Sequence, residues 1–146
     1  MNYNEALKIV QQIKKVISGL YVTGSVKRKS QQINDIDFIT MKDLNLVLDS
    51  IIKKFINVTI LKNGKKHLSI ILDDLDIQVD FWKASNKYEL FYKRLLRDLD
   101  KGHTIYWRKQ ARKVGLRLTE NGLYDNNNNL LDISNTKELK NLLNIK

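Results

Sequence analysis

The first half of the chain alternates between helical and extended hydrophobic patterns. Residues 3–18 and 43–55 place apolar side chains every three or four positions, which predicts two amphipathic helices, the first stopped by Gly19. The apolar run 20–22 and the alternating stretch 35–40 predict two strands. We expect the second helix to cover one face of the sheet to which these strands belong.

Three further strands are predicted before residue 83. Residues 57–61 and 66–72 lie on either side of Asn63-Gly64, a pair typical of hairpin turns. A second turn at Asp73-Asp74 leads to residues 75–82, where apolar and polar side chains alternate. This alternation predicts a strand with one buried face and one polar face.

The C-terminal part of the chain is mainly helical. Residues 88–99 and 103–114 carry apolar side chains at helical spacing and predict two helices. A turn at residues 120–122 separates two short strands. Residues 136–143 predict a final helix, which Asn135 opens in the manner of a capping box.

The composition is that of an ordinary globular chain. Its 146 residues are 42% hydrophobic and 29% charged, which suits one domain or two small lobes sharing a core. No apolar run approaches the length of a membrane span, so we expect no membrane partner. The absence of cysteine excludes a disulfide framework and a thiolate zinc site, and it fits a reducing compartment.

Positive charge is concentrated after residue 82. The net charge is +10, and residues 83–117 alone carry eleven basic against three acidic side chains. A solvated helix face usually mixes charge signs, and the helix predicted over residues 103–114 carries only basic charges, which favours contact with a nucleic-acid backbone. The alternative is a generally basic protein whose lysines reflect an AT-rich genome. The candidate DNA contacts are Lys101, His103, Arg108, Lys109, Arg112, Lys113 and Arg117.

The stretch after the first strand has the composition of a phosphate-binding loop. Gly24 allows the backbone to approach a ligand closely, and the N–H groups at the start of a helix favour an anion. Ser25 adds a hydroxyl group, and Lys27 and Arg28 add positive charge. A Gly-Ser pair alone is only a turn signal, so the interpretation depends on what lies nearby.

Two carboxylates follow ten residues later. Asp35 and Asp37 are two positions apart on a predicted strand and therefore share a face. Asp80 would join them if residues 75–82 formed the neighbouring strand. Carboxylates this close are costly unless a cation or a proton separates them, and a phosphate-binding loop beside them suits Mg²⁺-assisted transfer from a nucleoside triphosphate. The alternative is a solvated strand edge.

These segments together resemble a known family. The palm of the polymerase beta-like nucleotidyltransferases resembles Gly24-Ser25-Val26-Lys27-Arg28, Asn34-Asp35-Ile36-Asp37 and Gln78-Val79-Asp80-Phe81. The thumb of the family X DNA polymerases is similar to Leu118-Thr119-Glu120-Asn121-Gly122-Leu123-Tyr124 and Thr136-Lys137-Glu138-Leu139. The resemblance covers nearly the whole chain. It implies an α+β fold with a nucleotidyltransferase palm in residues 1–85 (a mixed sheet with flanking helices) and a basic thumb in residues 86–146 (helices and a short β-hairpin).

The resemblance also implies roles for individual residues. Asp35, Asp37 and Asp80 would bind two Mg²⁺ ions, with Mn²⁺ as a substitute, and Asp80 would accept the proton of the attacking 3′-hydroxyl. Ser25 and Arg28, with Gly24 and Lys27 beside them, would bind the triphosphate. Arg108 would reach the minor groove of the template strand.

The implied function is that of a minimal, repair-type DNA polymerase X of the compact viral form. It would add nucleotides from nucleoside triphosphates to gapped or primer–template DNA, as a monomer in the cytoplasm or in a virion. The family's Tyr-Phe-Thr-Gly turn is replaced by Leu96-Arg97-Asp98-Leu99, which leaves the choice between dNTP and NTP open. Two alternatives also remain open. One is a nucleotidyltransferase with an RNA, tRNA or protein acceptor, and the other is a catalytically silent DNA-binding module.

Overall fold

A computed structural model describes all of the chain, Met1–Lys146. The fold is α+β, with a mixed five-stranded sheet, a two-stranded hairpin and six α-helices. The chain forms two compact units, Met1–Ala84 and Ser85–Lys146. None of the helices combines the length and the apolar character that crossing a membrane requires.

The first unit contains the five-stranded sheet and three helices. The helices are α1 (Tyr3–Val16), α2 (Gly24–Lys27) and α3 (Leu44–Lys54). The strands are β1 (Leu20–Thr23), β2 (Asp35–Thr40), β3 (Val58–Asn63), β4 (His67–Leu72) and β5 (Ile77–Lys83). The strand order is β1-β2-β5-β4-β3; β2 and β5 are parallel, and the other neighbours are antiparallel.

The alternation of side chains divides this sheet into an apolar and a polar face. Ile36 and Phe38 of β2 and Val79 and Phe81 of β5 are fully buried and pack into one core with α1 and α3. Phe38 stacks on Phe81, with ring centroids 5.4 Å apart. The intervening residues, including the aspartates of both strands, point to the opposite face because successive side chains alternate.

Several predicted boundaries in this unit were wrong. The first helix ends at Val16 rather than at residue 18, because Ile17 is extended and buried in the core and Gly19 then adopts a positive φ of 74°. The last strand begins at Ile77 rather than at residue 75, because Asp73–Leu75 form a 3₁₀ turn and Asp76 has a left-handed conformation with φ of 49°.

The Asn63-Gly64 hairpin is wider than the sequence signal suggests. β3 continues to Asn63, two residues beyond the predicted end, with a register shift between Ile60 and Lys62. Gly64 N donates to His67 O at 2.9 Å, so the connection spans three residues before β4 begins. The hairpin itself was predicted correctly.

The second unit packs three helices with a short hairpin. Its elements are α4 (Lys87–Asp98), α5 (Lys101–Lys113), β6 (Arg117–Thr119), β7 (Gly122–Tyr124) and α6 (Thr136–Leu143). Its core includes Tyr92, Leu96, Trp107, Leu123 and Leu139. Each helix begins with a side-chain cap, and Asn135 accepts from Glu138 N at 2.9 Å, which explains why α6 has its predicted bounds.

Candidate metal centre and basic helix face

The first unit brings together the three aspartates singled out in the sequence, which we call the carboxylate cluster (Asp35, Asp37 and Asp80). β5 lies beside β2, and Asp37 is directly opposite Asp80. One carboxylate oxygen from each residue lies within 4.8 Å of the others. The three side chains are therefore close enough to bind a metal ion.

The carboxylate cluster is only partly hydrated. Asp80 is only 4% exposed, so it does not lie on a solvated strand edge. Asp35 and Asp37 are half-buried. Burial raises the pKa of Asp35, and the Asp80 charge raises it further, whereas Arg28 and a hydrogen bond with Asp37 lower it. Desolvation and repulsion thus disfavour the charged form unless a cation compensates.

Neighbouring side chains hold two of the carboxylates by hydrogen bonds. Trp82 Nε1 donates to Asp37 Oδ1 at 3.2 Å, and Gln78 Nε2 donates to Asp80 Oδ2 at 3.1 Å. His67 Nε2 lies 2.8 Å from the other oxygen of Asp80. These donors leave further lone pairs on each carboxylate, since an ionised carboxylate has about four acceptor sites.

His67 was not among the site residues predicted from the sequence. The signal that identifies it is the register of the β4–β5 hairpin. Leu72 pairs with Ile77, so counting away from the turn along both strands places His67 opposite Trp82. This pair is two residue pairs away from Asp80 and therefore on the same, polar face.

The donor set suits a hard divalent cation. Mg²⁺ prefers oxygen ligands and is usually bound by one or two carboxylates together with substrate phosphates, and Mn²⁺ accepts the same ligands. The carboxylate cluster supplies only oxygen atoms on one side of the sheet. The residues present therefore fit Mg²⁺ or Mn²⁺.

Gly24 lies directly against the carboxylate cluster. Thr23 pairs with Asp37, so the turn from β1 into α2 begins beside that carboxylate. Gly24 has a φ of 67°, and a Cβ atom at this position would lie 2.7 Å from Asp37 Oδ2. Both the conformation and the close approach require glycine. The predicted phosphate-binding loop is thus adjacent to the carboxylates.

The other residues of this loop lie at different distances from the carboxylates. Ser25 Oγ donates to Asp35 O at 3.4 Å, a long contact that ties α2 to β2. Arg28 is exposed at the end of α2, and its charge acts on Asp35. Lys27 is exposed on the last turn of α2, and no contact joins it to the carboxylates.

In the second unit, α5 presents four exposed basic residues, which we call the basic face (Arg108, Lys109, Arg112 and Lys113). Trp107 and Ala111 of the same helix are buried in the core and fix which side faces outward. No acidic side chain forms an ion pair with any residue of the basic face. The charge is therefore available to an external anion.

The remaining candidate DNA contacts have different surroundings. Lys101 is exposed at the first position of α5. His103 Nδ1 lies 2.8 Å from Oδ2 of Asp100, the capping residue of α5. Arg117 Nη2 donates to Asn128 Oδ1 at 3.0 Å, and its guanidinium lies 4.9 Å from the centre of the Tyr124 ring. His103 and Arg117 thus have local partners within the second unit.

Comparison of the sequence with models of known families found no match, and comparison with curated proteins found no significant similarity. Inferences about function therefore depend on the residues and geometry described above.

Proposed function

We propose that the chain is a metal-dependent nucleotidyltransferase of the polymerase beta-like superfamily, with the first unit as palm and the second as thumb. The observation that carries this proposal is the carboxylate cluster on two adjacent parallel strands with Gly24 packed against it. The three aspartates would form a cation site, and the glycine turn beside them would form a phosphate-binding site.

Each carboxylate has a distinct role in this proposal. Asp35 and Asp37 lie beside Gly24 and α2, so they would share their cations with the triphosphate. Asp80 would lie nearest the attacking 3′-hydroxyl and accept its proton. Two bound Mg²⁺ ions, or Mn²⁺ in their place, would activate the hydroxyl group and neutralise the charge that develops on the leaving pyrophosphate.

The triphosphate would bind at the start of α2. Gly24 keeps this backbone close to Asp37, and Ser25 offers a hydroxyl group at the first turn. Arg28 supplies a guanidinium whose charge already acts on Asp35. Guanidinium groups form strong, charge-assisted hydrogen bonds to phosphate, so Arg28 would contribute most of the affinity, and Lys27 would add a weaker, solvent-screened attraction.

DNA is the acceptor that the second unit favours. The basic face has no internal ion pairs, and neutralisation of phosphate charge accounts for most non-specific binding to duplex DNA. An acidic protein segment would satisfy the same charge, but the nucleotide-transfer chemistry of the first unit makes a nucleic acid the simpler partner. We therefore propose a minimal polymerase X that extends 3′ ends at gaps.

A transfer assay tests this proposal. Radiolabelled dNTPs and NTPs would be offered with Mg²⁺ to the wild-type protein on gapped, primer–template, blunt and single-stranded DNA and on RNA. Asp80→Asn should lose transfer, whereas Asp76→Asn, the same change at an exposed turn of the same hairpin, should retain it. Transfer to RNA alone would favour the alternative acceptor. DNA binding without transfer on any substrate would favour the silent module.

A further inference from the structure

Two aromatic side chains on the polar face are stacked beside the carboxylate cluster. The rings of His67 and Trp82 lie 3.7 Å apart between centroids and are inclined by only 7°. They are directly opposite each other on β4 and β5. The His67 side chain is 18% exposed, so the pair is largely withdrawn from water.

Each ring reaches a different carboxylate. Trp82 Nε1 donates to Asp37 Oδ1 at 3.2 Å on the neighbouring strand β2, and His67 Nε2 lies 2.8 Å from Asp80 Oδ1. An indole nitrogen can only donate, and an ionised carboxylate can only accept. The stacked pair therefore connects one oxygen of each carboxylate to a single rigid unit.

The second oxygen of Asp80 is also held. Gln78 Nε2 donates to Asp80 Oδ2 at 3.1 Å and lies 3.1 Å from Ser69 Oγ. With a nitrogen atom within hydrogen-bond distance of each oxygen, the carboxylate of Asp80 cannot rotate freely. Metal-binding carboxylates commonly depend on such hydrogen bonds for their orientation, and loss of one such bond typically reduces metal affinity or activity about 10–100-fold.

We propose that His67 is a positioning residue that fixes Asp80 for cation binding through a hydrogen bond from Nε2, with Trp82 as its rigid support. This inference rests on the proposed function, because it concerns the cation site of the carboxylate cluster. It requires His67 to carry hydrogen on Nε2, since an ionised carboxylate can only accept a hydrogen bond.

Two substitutions separate positioning from simple packing. His67→Phe keeps a ring that stacks on Trp82 but removes the donor. His67→Gln removes the ring but places an amide nitrogen at about the position of Nε2. If the hydrogen bond positions Asp80, His67→Phe should lose Mn²⁺ affinity and His67→Gln should retain it. If His67 acts only by packing on Trp82, His67→Phe should retain the affinity and His67→Gln should lose it.

The measurement is Mn²⁺ affinity, from the electron paramagnetic resonance signal of free Mn²⁺, with Asp80→Asn as the reference for a damaged site. We expect His67→Phe to weaken binding at least about 10-fold and His67→Gln to stay within about threefold of wild type. In nucleotide transfer, kcat should fall in His67→Phe while KM for the triphosphate is unchanged. Wild-type affinity in His67→Phe would overturn the inference.

The wild-type protein provides a second test that needs no substitution. Nitrogen-15 spectra of the histidine rings should show the Nε2–H form at His67, with resonances that shift on addition of Mg²⁺. His103, exposed on α5, is the internal reference and should not shift. An Nδ1–H form at His67 would overturn the inference alone. Absence of any Mn²⁺ or Mg²⁺ binding by the wild-type protein would instead overturn the metal centre and the proposed function with it.

Discussion

The carboxylate cluster and the basic face both gather charges of one sign, but they are surrounded very differently. The carboxylates are half-buried or buried; Asp37 and Asp80 accept hydrogen bonds from Trp82 and Gln78, and His67 Nε2 lies 2.8 Å from Asp80 Oδ1. The basic side chains are exposed and have no acidic partner. One group is held in a fixed arrangement by its neighbours, and the other is held only by its helix.

This difference determines how each region should respond to change. Like charges withdrawn from water are costly, so the carboxylate cluster depends on fixed donors, a bound cation would stabilise it, and we expect its members to act together. Exposed charges are surrounded by water and screened by salt, so each member of the basic face contributes weakly. We expect sharp losses in the first unit and graded, salt-dependent losses in the second.

The largest effects should come from the carboxylate cluster. Asp35→Ala, Asp37→Ala and Asp80→Ala should each reduce nucleotide transfer by more than about 100-fold, because even outer hydrogen-bonding partners of a metal site contribute about 10–100-fold. The fold should persist, since removing one carboxylate relieves repulsion. Single-turnover incorporation measures nucleotide transfer, and circular dichroism checks that the fold persists. Near-normal turnover in any of the three would mean that the cluster is not the reaction centre.

Intermediate effects are expected at the phosphate-binding loop. Arg28→Ala should weaken triphosphate binding about 10–100-fold, because a hydrogen bond to a charged group contributes about 1.5–3 kcal/mol. Ser25→Ala should weaken it only a few-fold. Equilibrium binding of a fluorescent nucleoside triphosphate compares the two variants. Equal, unchanged affinities would exclude a phosphate site at α2.

The basic face should give a graded effect. Each neutralised phosphate adds about 0.9 to the log–log slope of affinity against salt, so changing Lys109 and Lys113 to glutamine should flatten that slope by up to about two units. Lys14 and Lys15, exposed on α1, provide the matched control. Triphosphate affinity should not change in either double variant. An unaltered slope in the α5 variant would mean that the basic face is only solvated.

Arg108→Ala distinguishes a contact with the template strand from a general contact with the DNA backbone. The side chain is exposed on the basic face, and the family resemblance gives it a contact with the template minor groove. Templated incorporation should therefore fall more than DNA affinity does. Equal losses in both measurements would make Arg108 one more backbone contact.

Two glycines distinguish local strain from contact with the carboxylate cluster. Gly24 and Gly19 both have positive φ, and the left-handed conformation costs other residues about 1–2 kcal/mol. A Cβ at Gly24 would lie 2.7 Å from Asp37 Oδ2, whereas at Gly19 the nearest atom, Lys42 Cε, would be 3.6 Å away. Both alanine variants should lower the free energy of unfolding, but only Gly24→Ala should weaken Mn²⁺ binding. Equal Mn²⁺ affinities would remove Gly24 from the site.

The smallest effect concerns the charge of Asp35. Burial and then Asp80 raise its pKa in the folded protein, so its protonated form is favoured by folding and the stability that this adds is lost as pH rises through the folded pKa. In EDTA at neutral pH, Asp35→Asn should therefore have a higher Tm than wild type. The difference should shrink as pH falls toward about 4. A difference that is constant with pH would argue against the raised pKa.

Much of the fold follows from local signals in the sequence. The bounds of α6 were predicted because Asn135 caps the helix with a side-chain hydrogen bond to Glu138 N. The first helix was predicted two residues too long because Ile17 fits the helical period, although its burial in the core belongs to extended chain. Tertiary packing thus decided the boundary that periodicity could not.

The carboxylate cluster was predictable and its supporting donors were not. The two-residue spacing of Asp35 and Asp37 fixes a shared face, and Asp80 follows once β5 lies beside β2. The position of His67 beside Asp80 depends on the register between β4 and β5. The 3₁₀ turn Asp73–Leu75 and the left-handed Asp76 determine that register. The predicted strand began at residue 75 instead of Ile77, so it did not show which residues of β4 and β5 pair. The roles of the first unit as palm and the second unit as thumb stay predictions, and so does the nucleotide-transfer chemistry.

The most direct test of the central claim is the location of Mn²⁺ by anomalous X-ray scattering in crystals grown with a non-hydrolysable nucleoside triphosphate. The account predicts anomalous density bounded by Asp35, Asp37 and Asp80, with the triphosphate at Gly24 and Arg28, and loss of that density in Asp37→Ala. Mn²⁺ bound elsewhere, or a carboxylate cluster without Mn²⁺ at saturating concentration, would contradict it.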